Sequence, residues 1–264
     1  MIFRLFSSSR RVRLWTPSLP LLQEVKKIKR TYFFSLSFCF HDSYKRLKFN
    51  LATVTLISPF FFLPSMKFMA FSDVHADMGV AERLVKRAQK DDIELVVCAG
   101  DFTVFERQLK PMLKLFDSIG KPVIIIPGNH EAPKELEKNL GPRKHIVYAH
   151  KKLVRLYGLT FLGWGTDGFN RRSDEFREVA RQWRRELTAE DHKIVLITHA
   201  PPFGTVLDNL EKEHIGNKDI RLAIERIQPN ISISGHIHEN EGKKDTIGDT
   251  LCVNPGWKGM VLMI

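Results

Sequence analysis

From Lys67 onward, short runs of aliphatic and β-branched residues alternate with charged, amphipathic stretches of helical length. The apolar runs cover residues 67–72, 95–99, 123–126, 194–197 and 231–233; the helical stretches cover 80–91, about 105–119, 174–187 and 219–227. Runs this short and apolar at nearly every position suit strands covered on both faces, and the intervening amphipathic segments suit the helices that cover them. The pattern predicts a layered α/β domain. A second group of strand-like runs, 152–157, 159–163, 249–254 and 260–264, is spaced like hairpins rather than crossovers, so mixed sheets are expected. No internal repeat is present.

The five strands of the first group end in metal-ligand side chains. They run into Ser72-Asp73-Val74-His75, Ala99-Gly100-Asp101, Pro127-Gly128-Asn129-His130-Glu131, Thr198-His199 and Ser234-Gly235-His236-Ile237-His238. In open α/β sheets ligands bind beyond the carboxyl ends of the strands, so the five termini are expected to share one crevice. Asp73 and His75, like His236 and His238, are two residues apart, a spacing that in extended backbone aims both side chains to one side. Gly100, Gly128 and Gly235 each precede a ligand candidate, where the missing Cβ permits a close approach.

Imidazole, carboxylate and amide oxygen without thiolate suit Mn, Fe, Co, Ni or Zn. Six strong ligands and one amide exceed the needs of a four-coordinate zinc. Two divalent ions sharing a carboxylate fit better, an arrangement used for in-line displacement at phosphorus. The other five histidines, His41, His145, His150, His192 and His214, have no comparable setting.

The order of motifs, D-x-H, G-D, G-N-H-E, a single His after a strand, then G-H-x-H, resembles the calcineurin-like metallophosphoesterase superfamily from about Lys67 to Gly256. The resemblance implies a four-layer α-β-β-α sandwich of two mixed sheets with a dinuclear centre at one edge. It also implies a role for each motif residue. Asp73, His75 and His238 would hold one ion, Asn129, His199 and His236 the other, and Asp101 would bridge them. A hydroxide between the ions would attack phosphorus, with His130 stabilising or protonating the leaving oxygen. Glu131 would orient a histidine or a backbone group, or simply open the helix that starts near Ala132-Pro133.

Gly100-Asp101 continues into Phe102-Thr103-Val104-Phe105, and Pro127 precedes Gly128, so the phosphate-gripping arginines of the protein-serine/threonine branch are missing. The later segments, 204–208 and 214–218, look more like the compact microbial phosphoesterases related to cyclic-nucleotide phosphodiesterases. There, His214 and Lys218 either cover the site or sit on a surface loop.

Charge divides the chain unevenly. Residues 1–65 carry eleven Lys or Arg against two acidic residues, whereas 66–264 is close to neutral. The basic pI therefore belongs to a leader that is expected to lie outside the fold, as an upstream extension or a targeting or membrane-associating segment. The domain itself, 66–264, offers no evident basic stripe for nucleic acid. The leader's apolar run, 51–63, is shorter than the roughly 20 residues of a membrane span and contains Pro59. Three cysteines far apart give no disulfide framework and point to a reducing, cytoplasmic setting. The expected activity is hydrolysis of a small phosphomonoester or phosphodiester. The alternatives are a nuclease, or a protein-binding scaffold such as the retromer coat subunit of the same fold, which would be expected to have lost ligands.

Overall fold

The computed structural model describes residues 65–90 and 92–264; the predicted leader falls outside the described residues, except for Ser65. In chain order the elements are β1 (Lys67–Phe71), α1 (Met78–Ala88), β2 (Leu95–Cys98), α2 (Leu109–Asp117), β3 (Val123–Ile125), α3 (Pro133–Leu140), β4 (Ile146–Tyr148), β5 (Lys152–Leu156) and β6 (Leu159–Trp164). They continue with α4 (Asp174–Glu186), β7 (Ile194–Thr198), β8 (Asn209–Leu210), β9 (Glu213–His214), α5 (Lys218–Ile227), β10 (Ile231–Ile233), a 3-10 turn (His238–Asn240), β11 (Lys244–Ile247), β12 (Thr250–Val253) and β13 (Met260–Met263).

Two large sheets form. One has the order β13-β1-β2-β3-β4, the other β11-β12-β10-β7-β6-β5, and β8 pairs with β9 in a small hairpin. Within each large sheet the inner strands run parallel, and the antiparallel members, β13, β11 and β5, are edge strands. The sheets are therefore mixed, as the two kinds of strand spacing predicted.

Side-chain alternation on these strands builds three apolar layers. Phe68, Ala70, Leu95, Val97, Ile124 and Ile126 of the first sheet meet Phe161, Val195, Ile197, Ile231, Ile233 and Val253 of the second. The opposite faces carry the helices. Met69, Phe71, Val96 and Cys98 pack with α1 and α2 through Leu84, Val85, Met112 and Phe116. Leu162, Trp164, Leu196 and Cys252 pack with α4 and α5 through Phe176, Trp183, Ile220 and Ile224. The result is the four-layer α-β-β-α sandwich. Each fully buried Val, Ile or Phe contributes about 1.5–3 kcal/mol of transfer free energy, so the strand positions that look redundant in sequence are what press the sheets together.

The helices start where side-chain caps allow. Asp77, Ser173 and Asn217 accept hydrogen bonds from the first-turn N–H groups of α1, α4 and α5. The eight-residue α3 has Pro133 in its first turn, where the sequence offers a helix start, whereas the short strands β4 and β11 lie outside the strand-like runs read from the sequence. Their apolar periods are too brief to stand out, and only Leu136 of α3 is buried.

Among the described residues no helix is long and apolar enough to cross a membrane. Cys98 and Cys252 are buried and unpaired.

Candidate metal centre

The carboxyl ends of β1, β2, β3, β7 and β10 meet at one edge of the sandwich. Their side chains form three groups whose ligand atoms lie within 4.8 Å of one another: Asp73, His75 and His238; His75, Asp101 and His130; and Asp101, His199 and His236. Asn129 joins the third group, its Oδ1 lying 3.0 Å from His199 Nε2. All seven ligand candidates and His130 are thus brought together. Asp101 and His75 each belong to two groups, and Asp101 stands between the two ends of the cluster.

The route to this convergence differs from the extended i, i+2 geometry expected from sequence. Asp73, His75, Asp101 and His236 all have left-handed backbone, with φ of 57°, 49°, 49° and 71°, and His238 opens a 3-10 turn. Such conformations cost energy for residues with a Cβ and persist where surrounding structure enforces them, commonly at functional sites. Sharp turns directly after the strands, rather than the pleat, aim the side chains inward.

Glycine is required at two of these turns by proximity. A Cβ on Gly128 would lie 2.0 Å from Asp101 Oδ1, and one on Gly235 would lie 2.5 Å from Asp73 Oδ2. The main chain must therefore pass directly against the two buried carboxylates.

Hydrogen bonds hold the ligand candidates from behind. His199 Nδ1 donates to the Ala99 carbonyl at 2.9 Å, which directs Nε2 toward the centre. The His236 N–H donates to both Asp73 carboxylate oxygens, and the His130 N–H donates to Asp101 Oδ1 at 2.9 Å. Glu131 is 2% exposed. It accepts from the N–H groups of Asp101, Thr103 and Gly128 and from the Thr103 hydroxyl. One carboxylate thus ties the loop after β2 to the loop after β3. Between the two sequence readings of Glu131, the structure favours orientation of backbone groups, since α3 begins only at Pro133.

The electrostatics fit a cation site. Burial opposes a charge on Asp101, but its hydrogen bond to His199 and that residue's charge outweigh the burial and hold its pKa near 2. Burial likewise disfavours the His199 imidazolium, yet the bond to Asp101 and the surrounding carboxylates raise its pKa to about 9. Burial lowers His236 to about 3, with His199 acting in the same direction, so this ring is a neutral donor. Its Nε2 is buried without a hydrogen-bond partner. His75 Nε2 and His238 Nε2 lie 3.0 Å apart and aim at common space. An ionised carboxylate, a neutral imidazole with an orphaned lone pair and converging ring nitrogens fit a divalent cation of the borderline class.

The remaining histidines are placed elsewhere. His150 is buried, accepts from the Gly165 N–H at 2.9 Å, and is lowered to about 4 by its burial. It steadies the turn after β6. His214 on β9 pairs with buried Asp208 at 2.8 Å, and neither it nor Lys218 lines the clefts beside the centre. His145 and His192 belong to none of the three ligand groups, and His41 lies outside the described residues. The sequence reading overlooked Phe105 and Phe169, whose rings stand edge-on to His130 and His236. Their only signal in the chain was an aromatic residue a few positions beyond a strand end.

A sequence profile of the calcineurin-like phosphoesterases matches residues 66–240. This chain belongs to that family. Its members are metal-dependent hydrolases of phosphoesters, and that is the chemistry of this protein at the family level. An uncharacterised protein of Methanocaldococcus jannaschii is 31% identical over 202 residues, which cover 73% of this chain and 89% of the relative. Among solved structures, a Thermus thermophilus protein superposes with a TM-score of 0.59 at 16% identity, covering 74% of this chain and 91% of that one. A dimetal phosphatase from Danio rerio superposes with a TM-score of 0.51 at 12% identity, covering 72% and 86%. At such identities the two structures speak for the shared phosphoesterase fold.

Proposed function

We propose that residues 66–264 form a phosphoesterase domain that works with two divalent ions, drawn from Mn, Fe, Co, Ni and Zn, on a small phosphomonoester or phosphodiester. The observation that carries this reading is the position of Asp101, which shares one ligand group with His75 and His130 and another with His199 and His236. Asp73, His75 and His238 would hold one ion, Asn129, His199 and His236 the other, and Asp101 would touch both. Bound there, the ions would acidify water and neutralise charge on the phosphoryl oxygens.

The chain's own residues supply the rest. Asp101 stays ionised and His236 neutral across the working pH range, so neither must lose a proton before accepting a cation. The Ala99 carbonyl holds His199 Nδ1, so Nε2 is the nitrogen that would give up its proton to an ion. His130 sits at the rim with a fifth of its side chain exposed and Nε2 3.9 Å from Asp101 Oδ2. In this reading it would donate a proton to a departing oxygen. Glu131 keeps the two ligand loops at fixed spacing. A cytoplasmic setting accompanies this reading, supported by the unpaired thiols of Cys98 and Cys252.

Stripping the protein with a chelator is expected to abolish hydrolysis of bis-p-nitrophenyl phosphate and p-nitrophenyl phosphate, and Mn²⁺ should restore it. The ratio of the two restored rates would separate diesterase from monoesterase. Undiminished turnover by protein shown to be metal-free would overturn the proposal.

A further inference from the structure

Phe105 and Phe169 are 74% and 63% exposed, the two most exposed large hydrophobic side chains among the described residues. Both border the metal centre. The Phe105 ring meets His130 at a centroid distance of 4.5 Å, and the Phe169 ring meets His236 at 4.3 Å. They arrive on different loops, one between β2 and α2 and the other between β6 and α4, and neither contributes to the three apolar layers.

A phenyl ring left in water gains the fold nothing, and surface apolar groups gathered at one place mark binding sites. The backbone points the same way. Phe105 and its neighbours Glu106 and Gln108 have φ of 47°, 64° and 63°, and Thr166 on the opposite loop has φ of 83°. Two loops thus hold conformations unfavourable to L-residues while presenting aromatic rings to solvent. Between the two loops opens a cleft of about 480 Å³ lined by Phe105, Asn129, His130 and Thr166, and by Gly168 and Asn170, the chain neighbours of Phe169, a size that suits a small organic ligand. A phosphoryl group on the metal centre would direct its organic substituent into this space, against the Phe105 ring and toward the loop that carries Phe169.

We propose that Phe105 and Phe169 form an aromatic clamp that selects phosphoesters whose organic group carries a planar aromatic ring close to phosphorus. The proposal rests on the phosphoester reading of the metal centre. Aromatic rings prefer offset or edge-to-face partners, which favours a flat ring over a puckered one of similar size.

Non-hydrolysable phosphonates test the clamp without requiring turnover. Titration calorimetry of the full-length, Mn²⁺-loaded protein should show phenylphosphonate binding tighter than cyclohexylphosphonate and about ten-fold tighter than methylphosphonate, the scale of one aromatic contact plus the apolar surface it covers. Phe105→Ala and Phe169→Ala should each erode that preference while leaving methylphosphonate affinity within about two-fold; both side chains are mostly exposed, so folding is expected to tolerate the changes. A wild-type protein without the phenyl preference, or variants that both retain it, would overturn the clamp while leaving the phosphoester reading intact. Failure of every phosphonate to bind would overturn that reading and the clamp with it.

Discussion

Replacing Asp101 by Asn is expected to lower kcat/KM for bis-p-nitrophenyl phosphate by about 10³-fold or more and to reduce the metal content of the purified protein. The side chain is 3% exposed, and its two oxygens have separate duties. Oδ1 accepts the His130 N–H at 2.9 Å, while Oδ2 faces His199 Nε2 at 3.2 Å and His130 Nε2 at 3.9 Å. Asparagine keeps the volume and can keep the first of these bonds. It removes the negative charge that would lie between two cations, and leaves mutual repulsion of the ions uncompensated. Circular dichroism of the variant should match the parent, because the apolar layers do not involve this group. Full activity with normal metal content would rule out a bridging role.

His130→Ala should behave differently. The ring stands at the rim, flanked edge-on by His75 and Phe105, and its Nδ1 has no hydrogen-bond partner in the protein. If it serves as a proton donor, its removal should cut kcat by about 10² to 10⁴ with metal content unchanged. The loss should be larger for an ester with a phenol or alcohol leaving group than for p-nitrophenyl, whose oxygen departs readily without a proton. Metal loss in this variant, or an equal loss for all leaving groups, would contradict the assignment.

Much of this architecture was legible in the chain because burial on two faces leaves a signature. Strands such as 95–98 and 194–198 are almost wholly apolar, and nothing but helix-covered sheet accommodates that. The convergence of the candidate ligand residues was legible for a related reason, since strand ends in parallel sheets are placed together by topology. What the residues did not reveal was backbone handedness. The spacing of Asp73 and His75 suggested a pleat, whereas both residues adopt left-handed turns set by contacts distant in sequence, such as Asp73 N–H to the Gly100 carbonyl and His75 N–H to the Asp101 carbonyl. Glu131 shows the same limit. Nothing local separates an orienting carboxylate from a helix-start one, and only the fold delivers the Asp101 and Thr103 N–H groups to it. The rim aromatics were missed because an exposed phenylalanine gains meaning only from its neighbours.

Anomalous diffraction from crystals of the metal-loaded protein addresses the bridged pair of cations most directly. Two peaks per chain are expected, one within coordination distance of Asp73, His75 and His238, the other of Asn129, His199 and His236, and both against the Asp101 carboxylate. A single peak, or two peaks of which only one touches Asp101, would contradict the account.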